Sequence, residues 1–565
     1  MNRIAEPTKH LLSSTNDVAA LGARLLLPII GGAVVAMTVV CFVAQPIWGD
    51  QSWLLYAASR VLDGARIGTD LVEANPPTII WLSEIPVALS RLLDILPQTA
   101  MKMCLGLLLC VSAAWCAFMV RRTAQKASGS MALWLAIGIA YATTVYSWAY
   151  VGQREYVMVL LLLPYLVTAA LRLDGVSPVA WQSFVAGAAA FVALSMKPHH
   201  FLIVVGIEFL LACRDGIPRS LLRPEAVGAV VAAVAYSAAL AIFAPDYITK
   251  VIPLAYNAYL VYQHVPLLTL IEPRRTVKVV VVLLLYAVLR RRLQYRTLAD
   301  IFAIAAVGAT TGYLIQQKGW QYQFVPADAY FILLLGVILV DRFIQVTTSL
   351  QRRAFCVRTM SATALVSCLF VGLFYYPIQS AKAAADVDEN RVAVQQSILA
   401  ALPTGTSIAV LGPNYASIFD FVLRYRLKWS ERFIGFWTLE AIFSAETAAD
   451  GNVKQRQLAK LADVTRWTRA AADEDLRRWK PSLVLVERCA DPTISCGASK
   501  SLREIDMLQW FEEDPAFRAD WANYEKCEEL GYYEVWYLRQ DAGVCKAVTS
   551  IASHRNGPRA SRPAS

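Results

Sequence analysis

GDQSWLLYAASRVLDGARIGTDLVEANPPTIIW, residues 49–81, follows directly on a long apolar run, Leu25–Trp48. It carries an acid, Asp50, within about one helical turn of that run's end. A second acid, Glu73, comes two residues before Asn75-Pro76-Pro77. A carboxylate at the mouth of a membrane span is costly unless its site is wet or paired, which makes Asp50 a functional candidate. The plain alternative is that Asp50 only marks the interface and ends the helix.

Working outward, 57% of the 565 residues are hydrophobic. The apolar residues gather in runs long enough, or nearly so, to cross about 30 Å of hydrocarbon. Candidate spans are Leu25–Trp48, Met101–Val120, Met131–Tyr150, Tyr156–Leu171, Ala180–Met196 and Phe201–Cys213. Further candidates are Ala226–Ala244, Val277–Leu289, Ile301–Ile315, Tyr330–Val340 and Met360–Tyr376. The expected fold is therefore a polytopic α-helical membrane protein of about eleven spans. Leu25–Trp48 is too long for a cleaved signal and lacks a small-residue cleavage site, so it reads as an anchor.

Basic clusters recur after every second span: Arg121, Arg122 and Lys126; Arg214, Arg219 and Arg223; Arg290, Arg291, Arg292 and Arg296; Arg352, Arg353 and Arg358. That spacing matches cytoplasmic loops under the positive-inside rule. The net charge of +10 thus reads as topology, and nucleic-acid binding is not expected. The amino terminus is then cytoplasmic. The loop from Asp50 to Gln98 lies on the opposite face, and so does the chain beyond about Ser380.

Residues 1–378 form the expected membrane domain, and residues 379–548 have soluble composition. Short strands are expected at Ser407–Leu411, Ser482–Val486 and Tyr533–Leu538, with a helix from Ala416 to about Arg426 and other helical stretches between, giving a small α/β domain. Residues 549–565 have the composition of a disordered tail. Four cysteines, Cys489, Cys496, Cys527 and Cys545, fall in the soluble part. An even set there suggests two disulfides in an oxidising compartment. Proximity favours Cys489 with Cys496 and Cys527 with Cys545; a zinc site finds no CxxC spacing to support it.

On the face shared with Asp50, polar residues crowd into short connections: Gly152-Gln153-Arg154-Glu155, Lys197-Pro198-His199-His200 and Gln316-Gln317-Lys318-Gly319-Trp320-Gln321-Tyr322. The loop from Asp246 to Arg275 adds Lys250, Arg274 and Arg275. Any one of these could be a snorkelling cation or an interfacial aromatic. Outer loops should be poor in bases, however, so together Arg154, Lys197 and Lys318 are placed to hold an anion, with phosphate the obvious one. Glu73, Glu155, His199 and Tyr322 join them as substrate-contact candidates. No organic cofactor is expected; a divalent cation at His199 and His200 is the weaker alternative, since adjacent side chains rarely face one ion.

The acid after the first span, the LYAAxxxLxG-like helix and the closing acid-x-x-Pro-Pro resemble the GT-C membrane glycosyltransferases, the superfamily of the lipid A aminoarabinose transferase and the protein O-mannosyltransferases. The loop in those enzymes opens with Asp-Glu and closes near Glu-Lys-Pro-Pro. Here Gln51 stands in place of the second acid and Asn75 in place of the lysine. The resemblance implies a bacterial inner-membrane enzyme with its carboxy-terminal domain in the periplasm. Its donor would be a sugar on polyprenyl phosphate, and its acceptor a glycan, lipid or protein hydroxyl. It also implies Asp50 as general base in a single inverting displacement, with Arg154, Lys197 or Lys318 stabilising the leaving phosphate. The helix from Gln51 to Gly64 would lie along the membrane and wall the cleft.

A transporter or flippase of a lipid-linked glycan is the competing class. It would place ionisable groups near the midplane and show related halves, whereas these spans read as largely uncharged and no repeat is visible. A binding protein with a passive anchor would need one span, not eleven.

Overall fold

A computed structural model describes residues 29–47, 49–123, 128–259, 265–349, 389–413, 418–446, 451–491, 494 and 505–555. Two compact units emerge. One gathers the described residues of 1–46, 105–233 and 266–384; the other gathers 47–104, 234–265 and 385–565. The first outer loop therefore groups with the carboxy-terminal domain, although composition alone divides the chain near residue 378.

The expected spans inside the described residues all fall on helices. These are α1 (Ile29–Ala44), α4 (Pro97–Arg121), α5 (Ser128–Ala140), α6 (Arg154–Leu173), α7 (Ala180–Met196) and α8 (Phe201–Asp215). Beyond them come α9 (Pro224–Phe243), α10 (Pro273–Leu289), α11 (Arg296–Gln316) and α12 (Val325–Ser349). Among the described residues, six helical segments are long and apolar enough to cross a membrane by length and composition. The expected span Met360–Tyr376 lies outside the described residues.

In the first unit α6 is buried on nearly every side, as a helix apolar all round must be. The small residues of α11 let a neighbour come close: a Cβ on Gly308 would stand 2.9 Å from the Ile203 Cα of α8. By contrast α9 exposes Val227, Val230 and Val231, an apolar face suited to lipid. The expectation of largely uncharged spans needs correcting. Tyr165 donates to Glu208 in the middle of α8 at 2.6 Å, Arg223 pairs with Glu208 and Glu225, and Arg172 pairs with Glu225. Lys278 pairs with Asp328 and also donates to Tyr146 at 3.0 Å. These charges are tolerated in apolar helices because each has an opposite partner.

In the second unit α2 (Asp50–Leu62) and α3 (Thr78–Leu93) form a helical pair from the first outer loop. The expected interfacial helix is present, but Gln51 to Ala58 are all buried and only Leu62 at its end is exposed, so protein covers most of its length. The sheet runs β2-β1-β3-β5-β4: β1 (Ser407–Leu411), β2 (Lys428–Trp429), β3 (Leu483–Glu487), β4 (Tyr524–Leu530) and β5 (Tyr533–Leu538). The first three are parallel, β5 lies antiparallel to β3, and β4 closes a hairpin on β5. Strands β1, β3 and β5 match the apolar runs. The two-residue β2 and the charged edge strand β4 carry no apolar alternation to find them by. The helix expected from Ala416 spans Ile418–Arg424 among the described residues.

Cys527 and Cys545 are disulfide-bonded, tying β4 to the helix Ala542–Arg555. Cys489 is also disulfide-bonded, and Cys496 lies outside the described residues. The Cys527–Cys545 bridge closes a loop with a sequence separation of 18, which by chain entropy stabilises its domain by about 3 kcal/mol. Replacing both cysteines with Ala should lower the domain's thermal midpoint by several degrees in differential scanning calorimetry, with no effect on the helices of the other unit.

Candidate functional site

Asp50 opens α2. The residue before it, Gly49, has φ 56°, a backbone that an L side chain adopts only under strain. That turn sets Asp50 in the first helical turn, where the amide dipoles favour an anion. Three residues on, the buried indole of Trp53 donates to Glu73 Oε2 at 2.6 Å. Glu73 Oε1 accepts the Asn75 backbone N–H at 2.9 Å and also the Asn75 side-chain amide. Glu73 is 4% exposed and both its oxygens are engaged inside the loop, so its carboxylate ties the loop's end to α2. Tyr247 donates to the Ala74 carbonyl at 3.3 Å beside it.

The carboxy-terminal domain fastens the same loop within this unit. The Tyr56 hydroxyl accepts the Trp429 N–H at 2.8 Å, and Gln98 donates to the Asp420 side chain at 3.1 Å. Arg478 pairs with Asp70 at 2.7 Å. Burial opposes ionisation of Asp70, but the Arg66 N–H and the Arg478 guanidinium prevail and hold its carboxyl below the usual range.

The other unit holds the cationic candidates. Arg154 and Glu155 begin α6; Lys197 and His199 lie in the turn between α7 and α8; Lys318 and Tyr322 follow α11. Three short connections that are distant in sequence meet here. Lys197 Nζ lies 3.0 Å from Glu155 Oε1 and 5.8 Å from the Tyr322 ring centroid. Gln316 Nε2 lies 2.9 Å from His199 Nδ1. Arg154, Lys197 and Lys318 are 2, 5 and 6% exposed. Snorkelling side chains would reach for water, so burial at this level rules that reading out.

The left-handed backbone at Gln317 (φ 50°) and Gly319 (φ 73°) turns the chain sharply on either side of Lys318. Gly312 gives the two histidines room, since a Cβ there would come within 3.0 Å of His200 Nδ1. Sequence reasoning did not single out Gln316 as the histidine's partner or Trp53 as the partner of Glu73. An amide and an indole carry no charge signal, and only the helix end and the fold show what they reach. Among the described residues no three His, Cys, Asp or Glu side chains converge as metal ligands.

Both imidazoles are held neutral. Burial, helped by His200, Lys197 and Arg154, pushes His199 down to about 2, and burial with Lys197 pushes His200 down to about 3. The unfolded chain binds a proton near pH 6.5, and the fold refuses it until far lower pH. Stability is therefore full above about pH 6.5 and falls as pH drops below it. His200 alone should cost about 2 kcal/mol at pH 5. Thermal unfolding in nanodiscs should show a lower midpoint at pH 5 than at pH 7.5, and His200→Asn should flatten that dependence.

No protein-family model matches the sequence, and no curated protein matches it. Among solved structures, the fold matches ArnT from Cupriavidus metallidurans bound to undecaprenyl phosphate. That match has a TM-score of 0.50 and 13% identity, over 92% of this chain and 98% of the other. The apo structure of the same protein matches with a TM-score of 0.51 and 12% identity over the same shares. The chain has the fold of ArnT. The likeness of fold extends over nearly the whole chain.

Proposed function

We propose that the chain is a GT-C type membrane glycosyltransferase that moves a sugar from a polyprenyl-phosphate donor to an acceptor hydroxyl. The observation that carries this reading is the meeting of three separate connections, each bearing one of the buried cations Arg154, Lys197 and Lys318, in an ArnT-like fold. Buried guanidinium and ammonium groups suit a phosphate, which takes charge-assisted hydrogen bonds from both. The solved ArnT structure is described as bound to undecaprenyl phosphate; we infer that this chain takes a carrier of the same class.

In this mechanism the Asp50 carboxylate accepts the acceptor's hydroxyl proton. The alkoxide oxygen attacks the anomeric carbon from the face opposite the phosphate, and the carbon–oxygen bond to the phosphate breaks. Its electron pair leaves on the polyprenyl phosphate, where the cations stabilise the charge. One displacement inverts the anomeric centre. Arg154, Lys197 and Lys318 hold the phosphate, Glu155 fixes Lys197, and His199 and Tyr322 lie beside it as neutral contacts to the donor. Glu73 holds the loop that carries the acceptor. The reaction takes place on the outer, periplasmic face of the inner membrane, with the amino terminus in the cytoplasm.

The test needs no knowledge of the sugar. Purified protein in liposomes is given the total lipid-linked sugar pool of bacterial membranes, and released polyprenyl phosphate is measured by mass spectrometry. Release that depends on Asp50 supports the reading; the absence of release from wild-type protein overturns it. Accessibility labelling should also place Gly152 and Ser380 outside and Arg291 inside.

A further inference from the structure

We infer that Arg478 and Arg432, in the carboxy-terminal domain, are positioning residues for the outer loop that carries Asp50 and Glu73. This rests on the function proposed above. A continuous chain of bonds runs to the loop within one compact unit. Arg478 ends the long helix Gly451–Trp479 and grips Asp70 at 2.7 Å. Asp70 also accepts the Arg66 N–H at 2.9 Å, which closes the turn before Val72.

Val72 is held on both sides: its N–H donates to the Arg432 carbonyl at 2.7 Å, and its carbonyl accepts the Trp437 indole N–H at 3.4 Å. Arg432 is itself fixed. Its backbone N–H and Nε donate to the two oxygens of Asp475 at 2.9 and 2.8 Å, and Nη2 donates to Glu474 at 2.7 Å. The next residue along from Val72 is Glu73, bound to Trp53 on α2, three residues from Asp50. The far end of α2 is held as well, with Arg60 stacked over Trp479 at 5.5 Å and Arg478 over the same ring at 4.9 Å.

This arrangement does more than cap the molecule. Asp70, Arg432 and Asp475 are 5, 7 and 2% exposed, so the Arg432–Asp475 bonds are buried and directional, while Arg478 reaches the buried Asp70 from a half-exposed side chain. A base must sit within hydrogen-bond reach of the proton it takes, and a displacement of about 1 Å can cost about 100-fold in rate. The domain thus contributes to turnover without touching substrate.

The experiment uses full-length protein in nanodiscs with two readouts. In hydrogen–deuterium exchange, Arg478→Gln should speed exchange at residues 66–75 at least tenfold and leave residues 154–173 and 296–316 unchanged. In the polyprenyl phosphate release assay, kcat should fall roughly 10- to 100-fold with the donor KM within about twofold. Arg478→Lys should recover at least half of the loss on a logarithmic scale.

Unchanged exchange at residues 66–75 overturns the inference, whatever the assay shows. So does a wild-type kcat in Arg478→Gln, a loss that Arg478→Lys does not recover, or a loss shared equally by KM. If wild-type protein releases no polyprenyl phosphate, the proposed function fails. The exchange arm then still decides whether Arg478 holds the loop.

Discussion

Asp50→Asn should abolish sugar transfer, lowering the rate of polyprenyl phosphate release by about 10²–10⁴, because a positioned base contributes that much. The variant keeps the size and much of the polarity of the side chain, and Gly49 still sets the turn, so expression and the midpoint of unfolding should stay near wild type. Binding of undecaprenyl phosphate, measured by tryptophan quenching or thermophoresis, should also be unchanged, since the cationic cluster is untouched. Near-normal release would remove Asp50 from the mechanism. Glu73→Gln is the informative comparison. Both Glu73 oxygens accept N–H groups, so an amide there sets one donor against another and costs about 1–3 kcal/mol of loop stability. Its defect should be smaller and accompanied by faster exchange in the loop.

The second large effect concerns Lys197 and Glu155, whose side chains are 6% and 0% exposed. Breaking a buried pair from one side leaves an uncompensated charge and costs about 3–5 kcal/mol, while replacing both partners together is often neutral. Lys197→Gln should reduce donor affinity or turnover roughly 10- to 150-fold, and Glu155→Gln should impair folding more than chemistry. The double variant Lys197→Met/Glu155→Gln separates two roles for the lysine. If Lys197 only neutralises Glu155, the double variant folds and transfers sugar normally. If Lys197 holds the donor's phosphate, the double variant folds yet binds undecaprenyl phosphate at least tenfold more weakly. We expect the second result. Arg154→Gln and Lys318→Gln should each lose 10-fold or more, with Lys318 the more sensitive because the backbone turns on both sides of it.

Much of this fold was legible because membrane spans leave a strong signal: about twenty apolar residues bounded by charge. The spans coincide with helices wherever the chain is described, and the apolar runs at β1, β3 and β5 announce themselves in the same way. The grouping of the connections that carry Arg154, Lys197 and Lys318 was legible for a related reason, since bases in connections read as outer break the expected charge bias. Their depth was not. Glu155 reads from sequence as a substrate-contact candidate, and only the packing of α6 shows its carboxylate enclosed with Lys197. Glu208, one acid in the run Phe201–Cys213, was visible but unremarked, because its partners Tyr165 and Arg223 come from other helices. The grip of the carboxy-terminal domain on the first loop left no local trace at all. Asp70 and Arg478 are ordinary surface residue types, and only tertiary structure brings them together.

The partners of the first outer loop are made very late. Tyr56 waits for Trp429, 373 residues on, and Asp70 waits for Arg478, 408 residues on. At 5–20 residues per second of synthesis, that interval is roughly 20–80 s. Throughout it Asp70 lacks the Arg478 guanidinium and the Val72 amide lacks the Arg432 carbonyl. A ribosome that stalls before residue 429 leaves a chain whose first loop has no template, and such a loop is open to proteolysis. Translation to the end is thus a built-in check: the loop that carries Asp50 is fixed only once the last domain has folded.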